Sequence, residues 1–78
     1  MDISGQILYY ILVYEGRKTG IIKRVMEDFH CEELEVLKQI DLLISAGKIR
    51  ILPYEEMSEH EKYEFDRNKE KFYQIVKK

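Results

Sequence analysis

The chain holds one cysteine, Cys31, so no disulfide can close within it, and this usage fits a reducing compartment. Long apolar runs are also lacking. The longest candidate, Ile7 to Tyr14, falls far short of the roughly 20 residues that a membrane-spanning helix needs. Asp2 stands where a secretory leader would carry a basic residue, and no small-residue cleavage site follows the apolar run. A soluble cytoplasmic protein without a membrane partner is therefore expected. There is no internal repeat, low-complexity tract or linker, and residues 1–78 read as a single domain. No Gly-rich phosphate loop, triad spacing or paired-carboxylate motif is present, so neither an enzyme nor a bound cofactor is expected. Asn and Gln are confined to Asn68, Gln6, Gln39 and Gln74, while charged residues reach 36%. That balance resembles thermophile usage.

What is present is an ordinary apolar fraction, 45%, and a segregated charge. The formal net charge is −2, which does not advertise a polyanion binder, but its distribution is uneven. Residues 31–47 carry −3 and residues 55–66 carry −5, whereas residues 48–54 carry +2 and residues 67–78 carry +4.

Hydrophobic spacing predicts a first helix over residues 3–15, capped by Ser4 and stopped by Gly16. The run is rich in β-formers, but its length and the glycine favour a helix. One face gathers Ile3, Ile7, Tyr10, Ile11 and Tyr14, the other Leu8, Tyr9, Leu12 and Val13, and a helix apolar all round is expected to be buried on both sides. Residues 17–20 form a polar connection with room for a very short strand, and Thr19 caps a second helix over 20–29. Ile21, Ile22, Val25, Met26 and Phe29 face inward there. A third helix runs from Glu32 to Ala46 on Val36, Leu37, Ile40, Leu43 and Ile44, with Gly47 as C-cap. Residues 48–54 read as a strand that Pro53 ends or marks as an edge. Ser58 and Glu61 have capping-box spacing for a short helical insert over 58–66. Residues 67–71 are polar, and a last strand over 71–77 pairs antiparallel with the first through a long, elaborated tip.

This order of helix, helix, tight turn, helix, strand, strand resembles the winged helix-turn-helix family, including its MarR-like and ArsR-like DNA-binding regulators. The strongest match is LLISAGKIRIL, residues 42–52, which is similar to the end of the family's recognition helix followed by the first wing strand. The fold expected is α+β and mainly helical: three helices, a C-terminal two-stranded wing hairpin and a short helical insert in the wing. The resemblance implies that helix 3 enters the major groove, with Lys38 and Gln39 reading bases. It implies that Arg17, Lys18, Thr19 and Lys23, beside the start of helix 2, and Arg67 and Lys69, at the wing tip, hold the DNA backbone. The function expected is then a transcriptional regulator that binds duplex DNA as a homodimer through Leu8, Tyr9, Leu12 and Val13 of helix 1.

Acidic residues depart from that pattern. Helix 3 carries Glu32, Glu33 and Glu35, and carboxylates beside phosphates cost affinity. The alternative is a winged-helix protein-interaction module that uses the acidic helix 3 and the exposed Leu42. The acidic insert from Glu55 to Asp66 is either a solvated face or a surface for a basic partner. His30, Cys31, Glu32 and Glu33 are consecutive, and consecutive residues rarely converge on one ion, so no metal site is expected.

Overall fold

The structure, a computed structural model, describes residues 2–14 and 16–77. Helix α1, Ile3–Val13, opens at Asp2, whose carboxylate accepts from the Gly5 amide at 2.8 Å and from the Ser4 hydroxyl at 3.1 Å. The cap is thus Asp2 and not Ser4, which only donates to it. Ser4 already lies inside the first turn, where its hydroxyl cannot serve as the N-cap. The backbone turns extended at Tyr14, so the helix ends short of Gly16. Gly16 serves a different need. A Cβ there would lie 2.0 Å from the carbonyl oxygen of Tyr73, so only a glycine lets the two backbones meet.

Helix α2, Lys18–Phe29, has Arg17 at its N-cap with no side-chain capping bond, and Thr19 lies within its first turn rather than ahead of it. Ile21, Ile22 and Val25 are buried, and Met26 and Phe29 are partly so. The chain leaves α2 through His30 in the left-handed region, with φ 51°. Helix α3, Glu33–Ser45, buries Val36, Ile40 and Leu43. It closes with paired reverse bonds, Lys48 N–H to the Leu43 carbonyl and Gly47 N–H to the Ile44 carbonyl, each at 3.0 Å. Gly47 takes the positive φ of 73° that this terminus requires.

Strand β1, Ile49–Ile51, is followed by a 3-10 turn at Tyr54–Glu56, helix α4 at Glu59–Asn68, and strand β2 at Tyr73–Ile75. Ser58 and Glu61 form the expected capping box. The strands pair antiparallel with Ile49 opposite Ile75 and Ile51 opposite Tyr73. A bridge between Arg17 and Phe72 adds the α1–α2 connection to the other edge of β2. Tyr73 N–H donates to the Gly16 carbonyl at 2.7 Å and Lys18 N–H to the Lys71 carbonyl at 2.9 Å. The latest strand in the chain is therefore the central one.

Ile7, Ile21, Val25, Val36, Ile40, Ile49 and Phe72 are the fully buried centre. Each contributes about 1.5 to 3 kcal/mol by leaving water. The outcome is a mostly helical α+β fold. Helix α1 is not buried on both sides as its composition suggests. Helices α2 and α3 and strand β2 pack against α1, which buries Ile7, Tyr10 and Ile11 and half-buries Ile3 and Leu8, leaving Tyr9 at 47%, Leu12 at 75%, Val13 at 51% and Tyr14 at 49% exposure. Tyr14 instead takes the Arg24 guanidinium over its ring at 4.5 Å. Residue Glu15, the expected last residue of this helix, lies outside the described residues. No helix among those described is long and apolar enough to cross a membrane.

Candidate interaction surfaces

The first surface is the outer face of α3. At about 100° per residue, the direction opposite Val36, Ile40 and Leu43 falls on Leu34, Lys38, Asp41 and Ser45, with Leu42 beside them. Leu34 and Leu42 are 62% and 61% exposed. Lys38 projects from the middle of this stripe. Gln39 sits on its flank, half-buried, with its amide directed at the Glu35 carboxylate four residues back, 3.4 Å away. The structure therefore separates the two expected base readers. Leu34 and Asp41 were missed in the sequence, although projecting the helix from its core stripe points to them.

The second surface is the start of α2, where Arg17, Lys18, Thr19 and Lys23 gather. Glu70 dominates its geometry. This carboxylate is 6% exposed and accepts from the Thr19 hydroxyl at 2.6 Å and the Thr19 amide at 3.3 Å. It also accepts from its neighbour, the Lys71 amide, at 3.2 Å. Glu70 thus caps α2 from 51 residues away, at a terminus whose own N-cap residue, Arg17, supplies no side-chain capping bond. Arg17 lies 3.1 Å from Glu64 and 3.9 Å from Glu70, and one of its guanidinium nitrogens is 3.2 Å from His60 Nε2. Its guanidinium also stands 5.6 Å from the centre of the Phe72 ring. Asn68 donates to the same Glu64 carboxylate at 3.1 Å. These two donors, Asn68 first and then Arg17, hold the Glu64 carboxyl below its ordinary value. An isolated acid within the basic run from Arg67 to Lys71 was the one sequence hint of the role of Glu70.

Lys18, Lys23 and Lys69 are set differently. They line a groove of about 540 Å³ whose floor includes Ile22 and Met26, and none of the three lies in an ion pair among the described residues. Glu27 and Glu33 also line it. Lys69 takes the left-handed conformation just past α4, with φ 57°. Arg67, on the last turn of α4, donates to the Tyr63 hydroxyl at 3.2 Å and lies over that ring.

The third surface is the insert. Arg50 of β1 holds Glu56 at 2.6 Å and Gln74 of β2 at 2.6 Å, fixing the 3-10 turn to the sheet. Met57 is buried, and the Tyr54 and Phe65 rings meet at 5.6 Å. The insert is thus a docked, acidic structure in the place expected of a wing. The fourth surface is the uncovered side of α1, where Leu8 is half-buried and Tyr9, Leu12 and Val13 are exposed. No group of three His, Cys, Asp or Glu among the described residues is arranged to hold a metal. Comparison of the chain with protein-family profiles, with curated protein sequences and with solved structures gives no match, so a functional reading rests on geometry and charge alone.

Proposed function

We propose that this chain is a winged-helix domain that docks a basic, apolar protein surface on α3 and the acidic insert. The winged-helix reading is supported by the element order and by the central place of β2 between β1 and the α1–α2 connection. The protein partner is supported by one observation above the others. The helix 3 segment is net negative, −3 over residues 31–47, and the insert that stands within the wing carries −5 over residues 55–66. Between the carboxylates of α3 stand two widely exposed leucines, Leu34 and Leu42. Phosphate repels that surface, whereas an amphipathic segment rich in lysine or arginine complements both its charge and its apolar stripe.

A second reading, a DNA-binding transcriptional regulator, is favoured by a specific feature. Lys18, Lys23 and Lys69 converge at one groove, with Lys38 exposed on α3. One titration separates the two. A labelled helical peptide of alternating leucine and lysine faces, and a mixed-sequence duplex, are each titrated with protein at about 50 and about 200 mM salt. The protein-partner reading expects saturable peptide binding on the order of 10 µM, weakened at least about fivefold by Leu42→Ala, and no saturable duplex binding. Saturable duplex binding that falls steeply with salt and is reduced by Lys23→Ala and Lys69→Ala hands the function to DNA.

A further inference from the structure

We propose that the groove along α2 binds a free oligopeptide of three or four residues, with its C-terminal carboxylate at the start of the helix and its N-terminal ammonium at the far end. This inference stands independently of what the outer face of α3 binds. The groove, of about 540 Å³, has the size of a small-molecule site. Its floor includes Ile22 and Met26, neighbours one turn apart on α2. Its two ends differ in charge. Lys18 opens α2, and Lys69 stands beside it, next to the Glu70 that bonds Thr19. At the other end lie Glu27, in the last turn of α2, and Glu33, which opens α3. None of these lysines and glutamates at the two ends lies in an ion pair among the described residues, apart from Glu70. The Glu70 carboxylate is already occupied. It accepts from Thr19 and the Lys71 amide, and Arg17 lies 3.9 Å away. Lys23 and Glu27, four positions apart on the helix, offset each other. That leaves Lys18 and Lys69 facing Glu33 along the groove.

Length and charge order select the occupant. From Lys18 to Met26 the helix rises about 12 Å. An extended peptide spans about 3.3 to 3.6 Å per residue, so three or four residues match that distance. With free termini such a peptide presents carboxylate, apolar side chains and ammonium in the order the groove requires. A fatty acid supplies the first two and leaves Glu33 unmatched. A nucleic-acid strand carries its negative charge on into Glu27 and Glu33, which costs affinity.

The test is an amide chemical-shift titration of the full chain with trileucine, up to about 10 mM at about 50 mM salt. The expected result is saturable binding on the order of 1 mM, with shifts centred on the residues that line the groove. Amidating the C-terminus of the peptide, or acetylating its N-terminus, weakens binding about three- to fivefold. These probes use the unaltered protein, so the outcome does not depend on any variant folding. Lys18→Gln combined with Lys69→Gln reproduces the loss for trileucine and adds none for its C-terminal amide. Glu33→Gln likewise weakens trileucine but not its N-acetyl form. Four results overturn the proposal: no saturable shift by about 10 mM, shifts centred elsewhere, equal binding of the doubly blocked peptide, or hexanoate binding as tightly as trileucine.

Discussion

Two glycines show how differently one residue type is used in this chain. At Gly16 the obstacle is space: an added Cβ meets the Tyr73 carbonyl oxygen at 2.0 Å, a backbone atom that cannot turn aside. Gly16→Ala should therefore cost about 3 kcal/mol or more, and lower the thermal midpoint by roughly 12 °C or more for a domain of this size. At Gly47 nothing lies within 4 Å, and the obstacle is the positive φ of 73°. Gly47→Ala should cost only about 1 to 2 kcal/mol. Thermal melts of both variants followed by circular dichroism check the ranking, and equal losses would contradict the packing argument at Gly16. Glu70 supplies a third residue-scale case. Glu70→Ala removes the carboxylate that accepts from the Thr19 amide and hydroxyl and caps α2, at about 1 kcal/mol. Combining it with Thr19→Val should add clearly less than the sum of the two single losses, and simple additivity in a double-mutant cycle would show that the contact carries no coupling.

At the scale of elements, helix α4 is the piece most dependent on side chains. Its start is local and legible in sequence: Ser58 accepts from the Glu61 amide at 3.2 Å, and Glu61 accepts from the Ser58 amide at 2.8 Å. Its attachment is not local. Glu64 reaches Arg17, 47 residues away, and no periodicity announces that pair. The pair has a pH signature. The Glu64 carboxyl is held below its ordinary value by Asn68 and Arg17, so its contribution is present above the unfolded value and is lost as pH falls through the folded one. Acidification should release α4 from the start of α2 before the core melts. Amide exchange measured residue by residue between about pH 6 and about pH 3 should show, after correction for the intrinsic rate, protection falling in residues 59–68 ahead of α3. In Glu64→Gln this step should be blunted. The three helices packed on the core, both strands and the capping box were likewise legible, because local spacing encodes them. The extent of α1 burial was not. An apolar face looks the same in sequence whether a neighbouring element or another molecule covers it. The cap of α2 was hidden for a related reason: its acceptor, Glu70, is supplied from the far end of the chain.

For the whole molecule, charge and apolar surface are sorted by region: acid on α3 and the insert, lysines around the groove at the start of α2, and an uncharged face on α1. If a second copy covers that face, as the resemblance to DNA-binding regulators implies, the thermal midpoint should rise with protein concentration, by mass action. A midpoint independent of concentration across about two decades would count against dimerisation, and Leu12→Glu should remove any rise. The central place of β2 also sets a temporal order. All four described helices precede Phe72 in the chain, yet the strand that joins β1 to the α1–α2 connection comes after them. During synthesis, a nascent chain that has emerged only as far as Asn68 has its helices available but no strand to unite the two edges of its sheet. Neither Gly16 nor Ile49 has its partner, and Thr19 waits for Glu70. Completion of the fold is thus reserved for residues 70–76, whose arrival lets the last strand close upon the start of α2.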